Sequence, residues 1–270
     1  MNDLQGPRRS ALASGVPESV VDWWLGFARV QLEFSQLDET DPASSDAVVA
    51  GRFGGRPRLP ADVEWNGYPH FVASLDLAAL PRDLPGLPLP PDGTLLIFGD
   101  VEEGWSTAGA SELGCRVLHV PAGTPTAERV PPESPDVADH VREPYPLRYL
   151  RRWTLPEENE PAIALDEDHR ALFDEHDLGS FASDEFLKDA VFLLGGHSDG
   201  VQDDPCVQNS EWRTHDSDDW RLLASWTTGT QPDGYDASLY WIIPREDLEA
   251  GRFDRVMLET QMHDSQGSYS

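Results

Sequence analysis

Three short segments of this chain recur in the same order further along. Arg52-Phe53-Gly54-Gly55 is echoed by Leu193-Leu194-Gly195-Gly196. Phe71-Val72-Ala73-Ser74-Leu75 is echoed by Leu222-Leu223-Ala224-Ser225-Trp226. Asp92-Gly93-Thr94-Leu95-Leu96-Ile97-Phe98 is echoed by Asp236-Ala237-Ser238-Leu239-Tyr240-Trp241-Ile242. The offsets are 141, 151 and 144 residues, which differ only by loop-length variation. A recurrence at a fixed period signals a repeated supersecondary unit. Each copy reads as a Gly-Gly turn, a loop, a strand, a second loop, an Asp-led turn and a strand. The chain is therefore expected to hold two related β-units, at about 47–120 and 190–262.

Proline supports a fold of short elements. The chain has 23 Pro and 22 Gly, and nine of the prolines fall between positions 121 and 161. Each fixes φ and removes a donor, so long helices are not expected there. Residues 121–189 read as a Pro-rich and acidic connector, with one strand over Leu147–Thr154 and short acidic helices over 162–177 and 183–189. At the N-terminus, residues 1–16 read as a flexible tail. From Pro17 to Phe34, Val20, Trp23, Phe27, Val30 and Phe34 recur at helical spacing, which predicts an amphipathic helix. The fold class expected is α+β and β-rich: internally duplicated antiparallel β-units, an N-terminal helix, and acidic helices between the halves. Residues 17–270 form a single domain in this reading.

Charge narrows the partners. There are 49 Asp+Glu against 20 Lys+Arg, a net charge of −29. Nucleic acid and anionic membrane both call for a basic footprint, so neither is expected as a direct partner. The excess is uneven: 157–219 alone holds 19 acids and 3 bases. Such a face could steer a basic protein. No segment has the apolar length of a membrane helix, and the N-terminus lacks a signal-type apolar core. Cys115 and Cys206, 91 residues apart, do not make a disulfide scaffold. A cytoplasmic location is expected.

The same recurring segments resemble the YwqG-like family of uncharacterised bacterial proteins. The resemblance rests on Gly54 to Pro60, Trp65, Gly67, Pro69, Phe71 to Pro81 and Pro91 to Leu95 in the first half. In the second it rests on Leu194-Gly195-Gly196, Val201 to Pro205, Asp236 to Ile243 and Arg245 to Val256. It implies a duplicated α+β, β-rich fold over roughly 50–262 and no established activity. Ser74 and Ser225 stand where the family tends to carry Gln, and Trp226-Thr227-Thr228 replaces its usual acidic strand ending.

Chemistry-bearing motifs are few. Gly196-His197-Ser198-Asp199-Gly200 fits the G-x-S-x-G pattern of a nucleophile elbow, with an apolar strand before it. Ser198, an acid among Asp216–Asp236 and His263 would complete a triad. The elbow needs a helix directly after its Ser, and Gly200 and Pro205 would break one, so a turn is the preferred reading. His197, Asp199, Asp203 and Asp204 lie close together, with Asp216, Asp218 and Asp219 nearby. They lack a recognised metal-ligand spacing, so no metal and no cofactor is expected. His169 and His176 share a helical face with Leu165 and Leu172 and read as packing residues. Arg52, Arg56 and Arg58 could clamp an acidic group or pair with nearby acids such as Asp62 and Glu64.

The function expected is a non-enzymatic binding protein with an acidic face for a basic partner, immunity-like in role. Its contact residues would be His197, Asp199, Gln202, Asp203, Asp204, Arg52 and Arg56. The alternative is a hydrolase or divalent-metal enzyme centred on His197–Asp204, with Ser198 and His263 as its catalytic candidates.

Overall fold

The computed structural model describes residues 4–35, 48–100, 114–131, 141–155, 167–181, 192–198, 200, 204–206, 219–227 and 235–264. Two helices open the chain, α1 (Gln5–Ala13) and α2 (Glu18–Leu25). The strands are β1 (Arg29–Ser35), β2 (Val48–Phe53), β3 (Arg58–Pro60), β4 (His70–Asp76), β5 (Thr94–Gly99), β6 (Cys115–Val120), β7 (Thr126–Glu128) and β8 (Tyr145–Thr154). After helix α3 (Glu167–Glu175) come β9 (Phe192–Gly195), β10 (Trp220–Thr227) and β11 (Tyr235–Pro244). Helix α4 (Arg245–Glu249) and β12 (Met257–Asp264) end the series.

Ten strands form one antiparallel sheet in the order β12-β11-β10-β9-β1-β8-β2-β4-β5-β6, while β3 and β7 make a separate ribbon. The sheet curls until its ends almost meet. Trp241 on β11 donates from Nε1 to the Phe98 carbonyl on β5 at 2.8 Å, and the Cys115 thiol on β6 donates to the Val256 carbonyl before β12. Alternate residues point inward, as a strand period of two requires. Val30, Leu32, Phe34, Phe192, Leu194, Leu239 and Trp241 thus share one buried core. The proline-studded loop after β4 plugs one end, adding Leu77, Leu80 and Leu87 to that core.

The two four-stranded runs, β2-β4-β5-β6 and β9-β10-β11-β12, have matching registers. Arg52 faces Ser74 as Leu193 faces Ser225, and Asp76 faces Thr94 as Thr227 faces Ser238. Both carry a bulge at the same step, Phe71/Ala73 and Leu222/Ala224. Both Gly-Gly turns have positive φ: 65° and 71° at Gly54 and Gly55, 69° and 86° at Gly195 and Gly196. Between the runs lie β1 and β8, paired to each other, with β1 bonded to β9 and β8 to β2.

Three expectations change. The helix expected over Pro17–Phe34 stops at Leu25. Gly26 caps it, and the alternation Val30-Gln31-Leu32-Glu33-Phe34-Ser35 is a strand period, not a helical one. The apolar stripe accordingly divides between two cores. Val20 joins Ala11, Trp24, Phe173 and Leu178 under the helices, whereas Val30 and Phe34 enter the barrel. The segment expected to be a tail carries α1, tied by ion pairs from Arg8 to Glu18 and Asp22 on α2, with Ala11 fully buried. The 121–189 segment is more than a connector, because β8 lies at the middle of the sheet. The helix expected over 183–189 and most of the acidic 157–219 stretch lie outside the described residues.

Candidate functional site

The His197 turn closes the plugged end of the barrel. It follows β9, and the His197 amide donates to the Thr154 hydroxyl at the end of β8 (3.0 Å). The imidazole is 5% exposed, and its Nε2 lies 2.8 Å from the Phe27 carbonyl. A carbonyl only accepts, so Nε2 carries the proton. Burial, reinforced by the positive charge of Arg29, lowers its pKa to about 3. The ring is therefore neutral at physiological pH and supports the fold.

That shift has a consequence for stability. Between about pH 3 and the unperturbed value near 6.5 the unfolded chain binds a proton at this site and the folded chain does not. The stabilisation is complete above that upper value and is lost as pH falls toward 3. His197→Gln keeps a donor for Phe27 but cannot titrate. The stability difference between the native chain and this variant, measured by urea unfolding, is expected to narrow steadily from pH 7 to pH 4. A constant difference would mean that the ring titrates normally.

Ser198 and Asp204 meet within their own loop. The Ser198 hydroxyl donates to Asp204 Oδ1 at 2.5 Å, and the same oxygen accepts the Cys206 amide at 2.8 Å. The carboxylate thus clasps both ends of its own loop. The neighbouring His197 Nε2 is turned to Phe27. His263 is remote: it pairs with Asp236 on β11, whereas Pro244, at the His197 end of that strand, pairs with Trp220. Eight residues of strand separate those levels, roughly 27 Å at about 3.4 Å per residue. The structure therefore does not bring Ser198 and His263 together. Asp199, Gln202, Asp203, Asp216 and Asp218 lie outside the described residues. Asp219 pairs with Arg221 (2.5 Å) and Arg245 (3.0 Å). Among the described residues no group of three or more His, Cys, Asp or Glu is placed to hold a metal ion.

The basic cluster of the first half is also engaged internally. Arg52 Nη2 donates to the Arg56 carbonyl (2.6 Å), Arg56 pairs with Glu128 on β7 (3.3 Å), and Arg58 donates to the Thr126 carbonyl (3.0 Å). These contacts pin the β3–β7 ribbon. The acid that Arg56 meets is Glu128, 72 residues away, rather than the neighbouring Asp62 or Glu64.

Sequence reasoning missed a polar band on the outer face of the second run. Glu33, Ser225, Tyr240 and Glu259 occupy one cross-strand row, linked through Leu193, and each is buried. Gln31, Ser35, Ser238 and Gln261 flank that row and are buried too. Carboxylates are seldom buried without partners. Glu33, 1% exposed, lies 2.6 Å from Arg152 Nε. Glu33→Leu alone would take the carboxylate from the half-buried Arg152 guanidinium and is expected to lower stability by about 1–3 kcal/mol in urea titration. Adding Arg152→Met should recover part of that loss. An additive double variant would show that the two charges do not depend on each other. The signal for this band was the Val-Gln-Leu-Glu-Phe-Ser alternation, hidden by the helical reading.

At the other end of the barrel the Arg142 guanidinium lies 4.6 Å from the centre of the Trp226 ring, and Phe53 stacks on Tyr145. Burial lowers the Arg142 pKa and raises that of the Tyr145 hydroxyl to about 12. The arginine stays charged and the tyrosine neutral across the working pH range. A surface groove of about 480 Å³ lies elsewhere, beside the β3–β4 loop, and includes Trp65, Tyr68 and Arg129.

Among the described residues no helix is long and apolar enough to cross a membrane. No curated protein matches the chain. A family model described as a domain of unknown function, DUF1963, matches residues 51–261, from within β2 into β12, and the chain belongs to that family.

Proposed function

We propose that this chain is a non-catalytic binding protein acting on a basic protein partner. One observation carries the first part: among the described residues, the groups from which a reaction could have been built are engaged in the fold. His197 is neutral and bonded to Phe27, Ser198 is closed onto Asp204, and Arg52, Arg56 and Arg58 hold the ribbon. The partner class rests on charge, since 157–219 carries 16 of the 29 net negative charges. A face of that sign accelerates encounter with a cationic surface and repels nucleic acid. An immunity-like role, covering the phosphate-binding site of a basic toxin or enzyme, fits that chemistry. A cytoplasmic location suits two buried free thiols.

The matching registers, bulges and Gly-Gly turns support an origin by internal duplication, with β1 and β8 as corresponding strands exchanged between the copies. The recurring segments also support placing the chain with the YwqG-like proteins.

Affinity capture from the native host across a salt series tests the function. Basic partners whose recovery falls steeply as salt rises are expected. Partners that are acidic, or retained equally at high salt, would refute it.

A further inference from the structure

The geometry points to a saccharide-binding groove on the outer face of the first run, lined by Val63, Glu64, Trp65, Asn66, Tyr68 and Arg129. Its volume of about 480 Å³ falls within the usual range of small-ligand sites, about 300–1,000 Å³. This site is separate from the acidic stretch and does not depend on a basic partner.

The groove is held open by bonds from four directions. Trp65 Nε1 donates to the Pro69 carbonyl (2.9 Å), and the Tyr68 hydroxyl donates to Asp100 Oδ2 (2.9 Å). Arg129 Nη2 donates to the Pro60 carbonyl (3.1 Å), and Arg116 Nη1 from β6 donates to the Glu64 carbonyl (2.9 Å). Beneath, the Trp65 ring packs on Phe98 with centroids 6.1 Å apart. Tyr68 is nevertheless 42% exposed. A large aromatic side chain fixed in place yet open to solvent is pre-organised for contact.

The hydrogen-bonding capacity left over identifies the ligand class. Asn66 Oδ1 accepts the Tyr68 amide, which leaves the Asn66 amide donors. Among the described residues Arg129 bonds through Nη2 alone, which leaves its Nη1 and Nε donors for a ligand. The Glu64 carboxylate, by contrast, can only accept. Donors and an acceptor thus occur together among the lining residues, with apolar Val63 and Trp65 beside them. An anionic ligand would face Glu64 and the net −29 of the chain, and a cationic one would face Arg129. Hydroxyl groups donate and accept at once, so a neutral polyhydroxylated ring meets both kinds of group. Its C–H faces fit against Trp65, Tyr68 and Val63.

Saturation-transfer NMR on the full chain with maltose, cellobiose and chitobiose tests this. Saturable transfer to at least one disaccharide is expected. It should weaken about tenfold, equivalent to about 1.4 kcal/mol, in both Asn66→Ala and Tyr68→Ala. Both positions are exposed, and unchanged melting curves would establish that the variants fold. Transfer to none of the three sugars would overturn the proposal. So would binding undiminished in the two variants, or stronger saturable transfer to citrate or lysine than to any sugar.

Discussion

Trp241→Ala is expected to lower the unfolding free energy by about 3–5 kcal/mol, the range for deleting a large aromatic from a core. Trp241 is fully buried, and its position makes the loss large. The side chain starts on β11, the second strand from one end of the sheet, and bonds to Phe98 on β5, the second strand from the other end. It therefore fills the core and links the sheet's ends. Room for it comes from Gly99, where a Cβ would stand 2.7 Å from Trp241 Cζ2. Trp241→Phe keeps most of the volume and removes the indole donor, so it should cost about 1–2 kcal/mol. Gly99→Ala should be damaging in the native background. Combined with Trp241→Phe, which leaves a smaller ring at that point, it should be much milder, a coupling that urea midpoints would reveal. Equal cost for Gly99→Ala in both backgrounds would mean that the indole does not set the spacing.

Gly54→Ala is the second large effect, expected at about 2–4 kcal/mol. Two causes add. At φ 65° a side chain is strained, and the new Cβ would lie 2.9 Å from the carbonyl oxygens of both Arg142 and Glu143. Those atoms belong to backbone that cannot swing aside, and the Gly55 amide already bonds to the Arg142 carbonyl (2.8 Å). Gly123 separates the causes. Its φ is 79°, but nothing lies within 4 Å of its Cβ position. Gly123→Ala should therefore cost only the backbone share, about 1–2 kcal/mol. Equal thermal destabilisation at both positions would show that chain crossing over the Gly-Gly turn contributes nothing.

Much of the sheet was legible because its strands are short, apolar and bounded by Gly, Pro or Asp. The positions of β4, β5, β10 and β11 follow from apolar runs and turn residues, and the segment matches found in sequence coincide with paired registers. The topology was not legible. Nothing local in Val30–Ser35 says that it bonds to β8 and β9, and Phe27, Val30 and Phe34 mimic a helical face. The β3–β7 ribbon is not legible locally, because two prolines interrupt Arg56-Pro57-Arg58-Leu59-Pro60 and its partner is nearly 70 residues away. For the sites, residue type was a poor guide. His197 and Ser198 carry suggestive chemistry but face Phe27 and Asp204. Asn66 and Tyr68 gave no motif, and Trp65 entered only through the family resemblance, because a groove depends on how a loop folds over a sheet.

The placement of β8 bears on how the chain is made. Strands β1 and β2 follow one another in sequence, yet the slot between them is filled only by residues 145–154. On the ribosome, both bordering edges emerge long before the strand that fills the gap. Open strand edges are templates for pairing with other chains. Late long-range pairing also slows folding and prolongs that exposure. The nascent N-terminal half is thus the aggregation-prone stage of biogenesis. Truncation before position 145 should produce insoluble protein, whereas translation past β8 should mark the onset of protease resistance.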